Sequence, residues 1–161
     1  MLPPRLKTSL QLSLRAAMAG SLAIVLAERL QLQFPVYALI SAVLVTDLVP
    51  ANSGRLALPR LVGTAVGTVL GALIASSLPA GIWTVMLGVF LGIFLSHLLG
   101  LRDAVKLAGY VCGIVLLDYD DQPWHYALYR MTETVLGIVA ALLVSVVPRL
   151  GPPDAPAGDG P

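Results

Sequence analysis

Six apolar stretches joined by short polar connections take up nearly all of this 161-residue chain. They read as 9–28, 34–50, 56–78, 81–100, 104–118 and 124–148. A bilayer-spanning helix needs roughly 20 apolar residues, within a range of about 17–25. The second and fifth stretches are short and carry helix-weakening residues, Pro35 and Pro50 in one, Gly109 and Gly113 in the other. Such segments are tilted, broken or re-entrant, a backbone tolerated only where protein or a wet cavity surrounds it. Composition points the same way: 57% of residues are hydrophobic and 12% charged, against about 25% charged in a soluble domain. The expected fold is an all-α integral membrane protein of six transmembrane helices. Residues 1–150 form one membrane domain, and the Pro/Gly-rich tail 151–161 is disordered.

One motif occurs twice. Residues 60–74 read RLVGTAVGTVLGALI and residues 130–144 read RMTETVLGIVAALLV. Aligned without a gap, Arg60 matches Arg130, Thr64 matches Thr134 and Gly67 matches Gly137. An arginine in lipid costs roughly 2.5–3.5 kcal/mol on insertion scales, so two in matching places suggest a use for both.

Loop charges orient the chain. With the N-terminus in the cytoplasm, Arg5, Lys7, Arg55, Arg60, Arg102, Lys106 and Arg149 lie at or near cytoplasmic ends, and only Arg29 and Arg130 lie outward. This lysine and arginine bias places both termini inside. The repeat offset is three spans, an odd number, so the halves become two pseudo-inverted three-helix repeats. That plan is common in secondary transporters, with the substrate site near the midplane at the repeat interface.

Gly63, Gly67 and Gly71 recur every fourth residue and form one helix face, with Gly137 in the second motif copy. Small residues let helices approach closely in lipid, so these are expected at a packing interface, within the fold or across an oligomer. Arg15 lies about two turns into the first helix and either snorkels to the interface or serves the site; snorkelling is open to Arg60 too. Arg130 and Glu133 are three apart on one helix face and can pair. Alternatively, Arg130 meets an anion when Glu133 is protonated or displaced. Glu133 and Asp47 are the candidates for proton coupling, unless Asp47 sits at the interface against Arg55 or Arg60.

Other features carry less. His97 reads as a hydrogen-bonded structural residue, because nothing at metal-ligand spacing accompanies it. Asp118, Asp120 and Asp121 lack the length and glycine of a calcium loop and read as a solvated acidic connection. Trp83 and Trp124 read as interface anchors. Cys112, the lone cysteine, reads as a packing residue. Ala17-Met18-Ala19 has the shape of a leader cleavage site, but Arg15 interrupts the run and the run continues past it, so a retained helix is expected. No nucleophile–base pattern, phosphate loop or GxSxG occurs, so no enzyme, metal or cofactor is expected. A net charge of +1 suggests no nucleic-acid partner.

The chain resembles the FUSC / aromatic acid exporter family, the fusaric-acid-resistance-like membrane domain. The resemblance rests on Arg15-Ala16-Ala17, on Pro35-Val36-Tyr37-Ala38, on residues 60–67 and on residues 130–137, taken in order. The fold also looks like the six-helix domain of plant aluminium-activated malate transporters. The resemblance implies export of small organic anions, especially aromatic carboxylates, across a bacterial inner membrane, and implies that Arg15, Arg60 and Arg130 matter. Larger family members carry two such units or a cytosolic domain, which implies self-association of this chain, most simply as a dimer. On that reading Arg60 and Arg130 make the path positive, and Thr64 and Thr134 donate to a carboxylate. The alternatives are a passive anion channel and a non-transporting membrane scaffold or regulatory subunit.

Overall fold

The computed structural model describes residues 3–118 and 121–146. Asp120, Arg149 and the 151–161 tail lie outside the described residues. The described chain forms six helices: α1 (Pro4–Arg29), α2 (Pro35–Val45), α3 (Pro50–Ser77), α4 (Ile82–Leu98), α5 (Val105–Asp118) and α6 (Pro123–Ser145). Prolines sit in the first turn of α2, α3 and α6, where the missing N–H has no helical partner to lose.

Length divides the helices into two kinds. α1, α3 and α6 are long and apolar enough to cross a membrane. At 1.5 Å per residue, α3 with its 28 residues runs about 42 Å. α2 has 11 residues and reaches only about 16 Å, roughly half a hydrocarbon core. The expected second segment, 34–50, is therefore shorter than its apolar run. The chain leaves the helix at Thr46, which is extended. Pro50 then starts α3 six residues before the expected boundary of 56.

α3 and α6 pack against each other at the centre. Each also beds a short helix from the other half of the chain, α3 against α5 and α6 against α2; α1 covers α2 and α6, and α4 covers α5. Gly63, Gly67 and Gly71 of α3 face Leu107, Val111 and Val115 of α5, matching fours with fours. A Cβ on Gly67 would lie 2.7 Å from both the Ala108 carbonyl and Val111 Cβ. Gly137 of α6 abuts Ala38, Ser41 and Ala42 of α2 in the same way.

Side-chain size is sorted as lipid demands rather than as water does. Among the described residues, eleven of the twenty buried hydrophobic ones are alanine, while Trp83, Phe90, Leu98, Leu128 and Leu143 face outward. Small side chains bring helices together where both solvent and interior are apolar, and large ones meet the acyl chains. Trp83 and Trp124 are both exposed on the first turns of their helices.

Candidate functional site

Among the described residues, three arginines and one glutamate lie in the interior: Arg15, Arg60, Arg130 and Glu133 are 1%, 4%, 2% and 0% exposed. Burial at this level requires partners, because an unpaired charge or donor in a low dielectric is costly. The partners separate the arginines by role.

Arg15 does not snorkel. Its Nη1 donates to the carbonyls of Asp47 at 3.0 Å and Leu48 at 2.7 Å. These carbonyls belong to the stretch where α2 has unwound, so Arg15 satisfies backbone that the helix no longer does. Asp47 serves the same turn. Its Oδ1 accepts from the Val49 N–H at 2.9 Å and from Asn52 Nδ2 at 3.4 Å, at the start of α3. Its own N–H donates to Ser53 Oγ at 3.0 Å, and Ser53 meets Ser145 of α6 at 3.1 Å. Asp47 is paired with neither Arg55 nor Arg60. Arg15 and Asp47 thus share one structural unit, apart from the other two arginines.

Arg60 and Arg130 converge on α2. The Arg60 Nε donates to Ser41 Oγ at 3.2 Å, and its Nη1 donates to the Tyr110 hydroxyl of α5. The Arg130 guanidinium lies over the Tyr37 ring, 3.0 Å from its centroid, a cation–π contact. Ser41 donates to the Tyr37 carbonyl at 2.8 Å, so one turn of α2 carries a partner for each arginine. The motif threonines, each one turn on from its arginine, meet: Thr134 Oγ1 donates to Thr64 Oγ1 at 3.5 Å. Each motif arginine also touches a tyrosine of a short helix from the opposite half, Arg60 with Tyr110 and Arg130 with Tyr37.

The Arg130–Glu133 ion pair that the helical spacing allows does not form. Glu133 Oε1 accepts from the Phe34 backbone N–H at 2.7 Å, while Oε2 has no partner; Nε and Nη1 of Arg130 are likewise unpartnered. Helix α6 places both residues on one face, but the guanidinium turns to the tyrosine ring and the carboxyl to the first turn of α2. Among the described residues neither Arg60 nor Arg130 is paired with a carboxylate.

One cavity reaches Arg60, and another opens at the aromatic residues next to Arg130's partner Tyr37. Arg60 itself lines one of about 410 Å³, with Arg55, Pro59, Asp103 and Leu107. Phe34 and Tyr126 line another of about 330 Å³, with Asp118, Asp121, His125 and Tyr129. Phe34, Tyr37 and Tyr126 form a ring cluster with centroids 5.3 and 5.9 Å apart. Arg130 lies against this cluster through Tyr37. Asp118 is exposed yet tied to the cluster, accepting from the hydroxyls of Tyr126 at 2.9 Å and Tyr37 at 3.5 Å. It is more than a solvated loop charge. His97 is exposed on the last turn of α4, and its side chain makes no hydrogen bond among the described residues.

Sequence reasoning missed the partners: Ser41, Tyr110, Tyr126 and Phe34. One signal was available, since Tyr126, Arg130, Glu133 and Gly137 share a face of α6 at spacings of four, three and four. The partners on α2 and α5 carry no such signal.

These features define a multi-pass helical membrane protein with two buried arginines that no carboxylate pairs directly among the described residues. The chain matches the family described as fusaric acid resistance protein-like over residues 22–144 and belongs to it. Membership points to a membrane transport or resistance protein. No curated protein and no solved structure matches the chain.

Proposed function

We propose that this chain is a membrane transporter that exports small organic anions, with aromatic carboxylates as the substrate class. The observation that carries the proposal is the state of Arg60 and Arg130. Both are buried, neither is neutralised by a carboxylate among the described residues, and their partners lie one turn apart on α2. A scaffold that needed these arginines only for structure would neutralise Arg130 with Glu133, which lies within one helical turn. Here Arg130 keeps two free donors, and a cavity reaches Arg60. Guanidinium donors in a dry site favour carboxylate geometry. Thr64 and Thr134, each one turn on from its motif arginine, bring a linked pair of hydroxyls to the site.

The architecture in this reading is six spans in two inverted halves, both termini cytoplasmic, in a bacterial inner membrane. Its support is the correspondence of packing. Exchanging the halves carries the α3–α5 contact onto α6–α2, Gly67 onto Gly137, and Arg60–Tyr110 onto Arg130–Tyr37. Glu133 is the proton-coupling candidate, since Asp47 is engaged at the start of α3. Residues 1–150 form the membrane unit, which pairs with a second copy of the chain.

Flux into proteoliposomes holding only this protein tests the proposal, using labelled 4-hydroxybenzoate with and without a proton gradient, beside Arg60→Ala. Saturable, gradient-dependent uptake lost in Arg60→Ala is the expected result. Gradient-independent flux lost in the same variant would identify a passive channel. No flux of that acid, chloride or malate from folded protein would make the chain a scaffold or regulatory subunit.

A further inference from the structure

Away from the buried arginines, α3 and α4 leave a furrow between them. α4 packs mainly on α5. The space it leaves against α3 is a cavity of about 540 Å³ with a wholly aliphatic lining, Val66, Val69 and Leu73 on one wall and Leu95, Leu98 and Leu99 on the other. A second cavity, of about 310 Å³, continues both walls: Leu58 and Val62 lie earlier on α3, and residues 100–104 form the connection that follows α4. Leu58, Val62, Val66, Val69 and Leu73 follow at steps of four, four, three and four, so they share one face of α3. At 1.5 Å per residue that face runs about 22 Å, against about 15 Å of hydrocarbon in one bilayer leaflet. The furrow and its mouth are long enough for one acyl chain and the glycerol above it.

The mouth is cationic. Arg102 lines it, is exposed, and its side chain makes no hydrogen bond or ion pair among the described residues. Arg55, one turn before Leu58 on α3, and Lys106, four residues on from Arg102, are exposed too. Among the described residues lining the mouth the one carboxylate is Asp103, so the balance is positive. We propose that the furrow and its mouth bind an anionic phospholipid, with an acyl chain between α3 and α4 and the phosphate on Arg102. An aliphatic wall takes hydrocarbon and offers nothing to a polar ligand, while each basic side chain at the membrane surface favours an anionic headgroup. Pro59 and Asp103 line both this mouth and the cavity that reaches Arg60, so the headgroup sits against a wall of that cavity.

Native mass spectrometry of the purified full chain in detergent tests this, with dioleoyl phosphatidylglycerol, dioleoyl phosphatidylcholine and glycerol 3-phosphate added separately. Phosphatidylglycerol should bind at least about fivefold more tightly than phosphatidylcholine, the share of one basic residue, and glycerol phosphate should add no mass. Arg102→Gln should lower that preference about fivefold. Arg29→Gln, which removes an exposed charge on the last turn of α1, should leave it unchanged. Val69→Trp, which fills the furrow, should weaken both phospholipids, whereas Leu143→Trp, the same bulk at an exposed position of α6, should weaken neither. Equal binding of the two phospholipids, or a preference unchanged in Arg102→Gln, makes the furrow ordinary boundary surface and overturns the proposal. Binding of glycerol phosphate alone overturns the acyl seat. Loss of self-association in Val69→Trp, with lipid binding intact, assigns the furrow to a second copy of the chain and overturns it as well.

Discussion

Thr64 and Thr134, seventy residues apart, meet side chain to side chain at 3.5 Å where α3 packs against α6. They occupy the same place in the two motif copies, so the repeat in sequence becomes a contact in space. This contact is directly testable. In a Cys112→Ala background, Thr64→Cys with Thr134→Cys should form an intrachain disulfide under mild oxidant, read as two proteolytic fragments held together. Moving one partner to Val135, which is exposed on another face of α6, should abolish it. Equal cross-linking from both pairs would refute the packing of α3 on α6.

Arg60 uses two nitrogens of one planar fork, on Ser41 and on Tyr110. Lysine offers a single charged nitrogen and cannot serve both. Arg60→Lys should lower transport at least about tenfold, the loss of one hydrogen bond to a charged group at about 1.5–3 kcal/mol. The protein should still elute as wild type on size exclusion. Full transport by this variant would remove Arg60 from the site.

Arg15 should behave differently. Its two bonds go to backbone carbonyls of the α2–α3 turn. Truncation leaves the carbonyls of half-buried Asp47 and Leu48 without this donor, at up to about 1 kcal/mol each. Arg15→Ala should lower the thermal midpoint in detergent, whereas Arg60→Lys shifts it far less. A midpoint unchanged in Arg15→Ala would contradict the assignment.

Glycine substitutions separate packing from helix propensity. A Cβ on Gly137 would press on the Ala38 carbonyl and lie 2.7 Å from Ser41 Cβ. Gly137→Ala should destabilise by about 1–3 kcal/mol, the usual range for an overpacked interior. Gly54 lies in α3, and a methyl group there would meet nothing within 4 Å, so Gly54→Ala should be neutral or stabilise by up to about 1 kcal/mol. The same shift for both would show that backbone entropy, not contact, governs.

Tyr37 presents its ring face to Arg130 and its hydroxyl to Tyr126 and Asp118. Tyr37→Phe keeps the first and loses the second; Tyr37→Leu loses both. The leucine variant should be less stable than the phenylalanine variant by about 0.5–2 kcal/mol, the range of a cation–π contact. Equal midpoints would leave the ring contact without energetic weight.

Much of this molecule was determined by the sequence alone. Apolar run length defines helical membrane character, because lipid accepts only backbone that satisfies its own hydrogen bonds. The repeated Arg-x-x-x-Thr-x-x-Gly spacing marks one face of α3 and one of α6, because helical periodicity is local. Tertiary structure decided which groups those faces meet. Arg130 and Glu133 are close enough to pair by helix geometry, yet each finds a partner at α2, about a hundred residues earlier in the chain: Tyr37 for the arginine, the Phe34 N–H for the glutamate. Arg15 and Arg60 look alike in sequence, and α2 sets them apart: its unwound end presents carbonyls to one, and its helical part presents a serine to the other. Periodicity reports which way a side chain points on its own helix; what it points at depends on how distant helices pack, and that information is not local.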